Sequence, residues 1–86
     1  MDLNQLVLLV KNKIEKNILT ENVIIKDTTY LHKKHLSHEL GKFHLEIKIK
    51  SKELNNFNRI QATRKIYKLL DEEIKKYIHS IKILIS

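Results

Sequence analysis

Residues 43 to 50 alternate without a break: Phe43, Leu45, Ile47 and Ile49 are apolar, and His44, Glu46, Lys48 and Lys50 between them are polar. Successive side chains of a strand point to opposite faces, so this pattern predicts a strand with one buried and one wet face, His44 and Glu46 lying on the wet side. Such a strand is not stable alone; it needs neighbouring strands and a cover for its apolar face. The rest of the chain supplies both. Val23-Ile24-Ile25 is a β-branched run bounded by Asn22 and by Lys26-Asp27-Thr28-Thr29, which predicts a strand over 23–27, antiparallel to 43–50. At the end, His79, Ile81, Ile83 and Ile85 alternate with Ser80, Lys82 and Leu84, predicting a third strand with His79 on the face of the isoleucines.

Helical spacing fills the remainder. Leu3, Leu6, Val7, Val10 and Ile14 predict a helix over 2–17, with Asp2 as its cap and Lys11, Lys13 and Lys16 as a solvated face toward its end. Ser51 to Asn56 reads as a turn or one helical turn. A longer helix starts at Asn58, which forms a capping-box pattern with Gln61. Ile60, Ile66, Tyr67, Leu70, Ile74 and Tyr77 fall roughly along one of its faces, Glu72 and Lys76 make an i,i+4 pair, and Asp71-Glu72-Glu73 reads as a solvated charge run. The expected architecture is α+β, in the order α-β-β-α-α-β, with a three-stranded sheet covered by helices on one face. Eighty-six residues make one domain, 1–86, with no room for a second core.

Composition narrows the chemistry. With no cysteine there is neither a disulfide nor a catalytic thiol, and any metal chemistry uses His, Asp or Glu or borrows sulfur from a partner. The single glycine, Gly41, rules out a phosphate loop, and no nucleophile motif or carboxylate pair is present, so an enzyme is not expected. No targeting segment or membrane span is legible at Met1 to Val10, which leaves the cytoplasm as the expected location. A net charge of +7 would suit an acidic partner such as nucleic acid, but the lysines are scattered rather than gathered in a stripe. Arg59, Arg64, Lys65 and Lys68 on the long helix are the candidate phosphate contacts, with a solvated helix face as the plainer reading.

Five histidines are the remaining supply. His32, His35 and His38 fall in the stretch 28–42, which reads as a loop; with His44 they amount to four imidazoles, enough for a zinc site if they converge and otherwise a polar loop. From spacing alone, His79 reads as a half-buried strand-edge histidine satisfied by a backbone group.

Taken together, the strings Lys26-Asp27-Thr28-Thr29-Tyr30-Leu31-His32, His44-Leu45-Glu46-Ile47-Lys48-Ile49-Lys50-Ser51, Arg64 to Ile74 and Ile78-His79-Ser80-Ile81-Lys82-Ile83 resemble, in order and spacing, the BolA family. The resemblance implies a fold close to the class II KH domain. It also implies a heterodimer with a monothiol glutaredoxin, in iron–sulfur trafficking or iron homeostasis. A bridging [2Fe–2S] cluster is then held by the glutaredoxin cysteine, a glutathione thiol and two ligands from this chain, with no cofactor in the isolated, monomeric protein. His79 matches the family's hallmark histidine. His32 matches the second ligand, with His35, His38 and His44 as rivals. The sequence departs from the family at Ala62-Thr63-Arg64, where an Arg-His-Arg string is usual, and in lacking the glycine before the long helix. Both departures weaken the alternative implied by a KH-like fold, a nucleic-acid-binding transcriptional regulator.

Overall fold

The computed structural model describes residues 2–28 and 43–86. The first helix, α1 (Leu3–Asn17), begins where expected: the Asp2 carboxylate accepts from the Gln5 amide at 2.8 Å, and the Gln5 side chain accepts from the Asp2 amide at 3.1 Å. This reciprocal cap satisfies two amides that have no partner inside the helix. Leu6, Val10 and Ile14 form its buried stripe.

Strands β1 (Asn22–Asp27) and β2 (Phe43–Lys50) are antiparallel, with Val23 opposite Ile49 and Ile25 opposite Ile47. A short 3-10 turn (Leu54–Asn56) leads to α2 (Arg59–Leu69), capped by Asn58 and Gln61 in the same reciprocal way as α1. Then come α3 (Asp71–Tyr77) and β3 (Ile78–Ile85), which pairs in parallel with β2. The sheet order is β1-β2-β3, so β2 is central. The parallel pairing requires the intervening helices to cross over, and that crossover carries α2 and α3 across the sheet. Leu45, Ile47 and Ile49 of β2 bury against Leu6, Val10, Ile14, Ala62, Ile66 and Leu70, with Ile81, Ile83 and Ile85 of β3 packed at the margin. Helices thus cover one face of the sheet, as the sequence predicts.

Ser51, at the end of β2, is fully buried. Its hydroxyl donates to the Leu19 carbonyl at 2.7 Å and accepts from the Leu54 amide at 3.1 Å. One side chain therefore fastens the turn before β1 to the turn after β2, and no buried polar group of Ser51 is left over.

Five details depart from the sequence reading. The long helix breaks at Leu70 (φ −99°, ψ 14°), which ends α2 and precedes α3. The bend turns the Leu70 side chain fully into the core. Ile60 lies in the first turn of α2, away from the sheet, and is exposed, while Tyr67 is 40% exposed and directs its hydroxyl to the Ile81 carbonyl at 3.2 Å. Glu73 is not part of a solvated run but buried, and Lys13 is not on a solvated face. Their ends meet at 2.8 Å and join α1 to α3. Asp71 and Glu72 remain exposed and pair with Lys75 and Lys76, each at 2.9 Å. The hydrogen bond and charge of Lys76 hold the Glu72 carboxyl below its ordinary value.

The cross-helix pair gives a first prediction. In Lys13→Met the Glu73 carboxylate stays buried without its cation, which is expected to cost about 2 kcal/mol; the partial exposure of Lys13 keeps the cost below that of a fully buried pair. Adding Glu73→Leu is expected to restore most of the loss, because two apolar side chains can replace a part-buried ion pair. Urea unfolding of the two variants checks both numbers.

Candidate functional site

Two of the candidate ligands meet at one end of the sheet. Phe43 pairs with Ile78 but His44 pairs with Ser80, so the β2–β3 register slips by one residue and His79 is the extra one, opposite nothing. A bulge of this kind bends its strand and re-aims side chains. It arises where α3 passes into β3 without a loop: Ile78 caps the helix and is buried in the core, and the isoleucine series resumes toward the core only at Ile81. His79 and Ser80 both end up exposed on the side away from the helices. His79 is therefore not on the isoleucine face, and it is not a half-buried edge residue.

Across the strand gap, the rings of His44 and His79 lie 4.9 Å apart between centroids, tilted by 58°. The His44 Nδ1 atom is 2.6 Å from the Ser80 hydroxyl oxygen, a hydrogen bond whose proton sits on either atom according to the imidazole tautomer. Thr28, the residue after β1, donates its amide (2.8 Å) and its hydroxyl (3.2 Å) to the His44 carbonyl. His44 does sit on the face opposite the core, as its place in the alternation requires, yet it is buried rather than wet. The bulge contributes to the difference, since it sets both His79 and Ser80 against the imidazole where regular pairing would set only one.

His32, His35 and His38 lie outside the described residues. The described ends of the connection that carries them, Thr28 and Phe43, are both at the His44 end of the sheet. Among the described residues, no three His, Asp or Glu side chains converge as a metal cage. A metal at the histidine pair would need donors from elsewhere. The basic residues of α2 belong to the other layer: Arg59, Arg64, Lys65 and Lys68 are exposed on the helical side, and the Lys65 ammonium lies 4.9 Å from the Phe57 ring centroid. They do not join the histidine pair.

The sequence model of the BolA-like protein family matches residues 14–86. The chain belongs to the BolA-like family. Solved structures agree with the fold of this BolA-like chain. BolA1 from Arabidopsis thaliana superposes with a TM-score of 0.79 at 25% identity, covering 93% of this chain and 88% of that one. The BolA domain of SufE1 from Arabidopsis thaliana gives 0.77 at 24% identity, over 92% and 87%. BolA1 from Mus musculus gives 0.73 at 16% identity, over 92% and 62%. No curated protein sequence gives a significant match.

Sequence reasoning on this BolA-like chain missed Ser80. Nothing in the string Ile78-His79-Ser80 signals a bulge, and with unbroken pairing Ser80 would sit opposite Leu45 rather than beside His44. Ser80→Ala is expected to change the imidazole nitrogen shifts of His44 while lowering stability by only about 1 kcal/mol. Ser80→Thr keeps the hydroxyl and is expected to retain the shifts, which nitrogen-15 NMR of the isolated protein would read.

Proposed function

We propose that this chain is a non-enzymatic BolA-like adaptor that pairs with a monothiol glutaredoxin and co-ligates a bridging [2Fe–2S] cluster. Its role is iron–sulfur trafficking or iron homeostasis in the cytoplasm. The observation that carries the proposal is the histidine pair: His79 is lifted onto the open side of the sheet by a bulge, exposed, and in ring contact with His44. An exposed imidazole at the rim of a small domain can reach a metal that another protein holds. Neutral imidazole is a suitable donor to iron, and the chain has no thiolate of its own.

The donor set fits a shared cluster. The glutaredoxin cysteine and the glutathione thiol supply soft sulfur on one side, and His79 with a second histidine supplies nitrogen on the other. His32 is the second ligand that the family resemblance indicates. His44 is the rival that the geometry supports, because its ring already touches His79. His35 and His38 remain the other rivals. Histidine ligation lowers the negative charge of a cluster and raises its potential, and it weakens as pH falls and the imidazoles take up protons.

The test is mixing. A glutathione-bound monothiol glutaredoxin loaded with [2Fe–2S] is combined with this protein and followed by visible absorption and circular dichroism. A new spectrum at one-to-one stoichiometry supports the adaptor, and an unchanged spectrum sinks it. The alternative, a nucleic-acid-binding regulator, rests on the exposed basic residues of α2 and requires DNA binding that weakens steeply with salt.

A further inference from the structure

Beyond the histidine pair, the face of the sheet turned away from the helices carries a definite arrangement. The register sets Lys26 beside Glu46 and Lys82 in one row, Ile24 beside Lys48 and Leu84 in the next, and Asn22 beside Lys50 in the last. The four lysines are exposed, Ile24 is 51% exposed and Leu84 is 40% exposed. Lys26 and Lys82 thus flank the Glu46 carboxylate, Lys48 and Lys50 follow it along β2, and two large apolar side chains flank Lys48.

We infer that this open face is a docking surface for an acidic protein surface, that of the partner which meets His79; the inference rests on the preceding reading for the identity of that partner. Three features point this way. Charge is the first: the lysines would attract a carboxylate-bearing surface and steer its approach, while Glu46, in the row nearest the histidines, demands a cation opposite it and so sets register. Apolar contact is the second, because Ile24 and Leu84 offer area that a protein surface can bury. Position is the third. His44 and Lys48 are two rows apart on β2, a distance of about 13 Å at the rise of a strand, which falls within one interface of ordinary size. A protein holding a metal against His79 would therefore lie over these rows.

Nucleic acid fits the same face poorly. Glu46 sits among the lysines where a phosphate backbone would pass, and the rows beyond the histidines carry no aromatic ring on which a base could stack.

The experiment is calorimetric titration of this protein with a glutathione-bound monothiol glutaredoxin that carries no cluster, which separates docking from ligation. Lys48→Glu combined with Lys82→Glu is expected to weaken binding at least about tenfold, and added salt to weaken the wild type in the same direction. Arg64→Glu with Lys68→Glu, on the helical layer, is expected to leave the affinity within about twofold. If the charge-reversed protein fails to fold, Lys48→Gln with Lys82→Gln takes its place, with an expected loss of about fivefold. Unchanged affinity in the sheet variants overturns the inference, and a retained cluster spectrum in those variants leaves the adaptor reading intact. Docking through these lysines without any cluster spectrum leaves the inference standing and sinks the cluster reading. Failure of wild type to bind glutaredoxin overturns both. Binding of a DNA duplex that depends on Lys48 and Lys82, with glutaredoxin indifferent to them, overturns the inference in favour of a phosphate surface.

Discussion

His79→Ala is expected to abolish the spectral change that wild type produces on mixing with a cluster-loaded glutaredoxin. The effect should be close to all-or-none, because on the adaptor reading the substitution removes a ligand and the chain has no cysteine to replace it. It is also a clean test. His79 is exposed and belongs to the bulge rather than to the core, so its truncation should change stability by no more than about 0.5 kcal/mol. Loss of the spectrum with an unaltered thermal melt then means loss of ligation. A full spectrum in His79→Ala would remove this residue from the site and with it the adaptor reading. The same assay ranks the second ligand: among His32→Ala, His35→Ala, His38→Ala and His44→Ala, the variant that behaves like His79→Ala identifies it. His44→Ala needs the melting control most, since His44 is buried and hydrogen-bonded to Ser80.

The second large effect concerns the core. Ile47→Ala is expected to cost about 3 kcal/mol and to lower the melting temperature by about 15 °C. Ile47 is fully buried in the central strand, between Ile25 of β1 and Ile83 of β3, beneath the helices. Removing its outer carbons opens a void with walls on every side and little freedom to collapse. A domain of this size has only a few kcal/mol to lose, so the variant should be partly unfolded at physiological temperature. Ile24→Ala on the open face of the neighbouring strand is the control and should cost much less, because that side chain is half in water already. Equal losses for the two variants, measured by calorimetry, would mean that the core is not where the structure puts it.

Most of the fold was legible because it follows local rules. The period-two run from Phe43 to Lys50 marked β2 to the residue, and the Asp2 cap and the Asn58–Gln61 capping box marked the starts of two helices. What escaped depends on distant parts of the chain. Glu73 read as solvated because its partner, Lys13, comes from α1, at the far end of the sequence. His44 read as wet because alternation fixes the face of a strand but not what lies against that face. The orientation of His79 escaped for a sharper reason. Alternation counted back from Ile81 sets it on the core face, and a single inserted residue reverses the count. No glycine or proline marks that insertion; it is imposed by α3 running directly into β3. His79 could still be singled out from the sequence, by family resemblance, although its geometry could not.

The parallel pairing of β2 with β3 has a consequence for how the protein is made. The antiparallel β1–β2 pair can close as soon as β2 has left the ribosome, but β3 can join only after α2 and α3 have crossed the sheet. A nascent chain therefore exhibits His44 without His79, and the two rings can come together only once the last strand has been made. Any metal affinity that depends on both imidazoles is withheld from unfinished or truncated chains. Assembly of the site thus reports that the whole domain has folded.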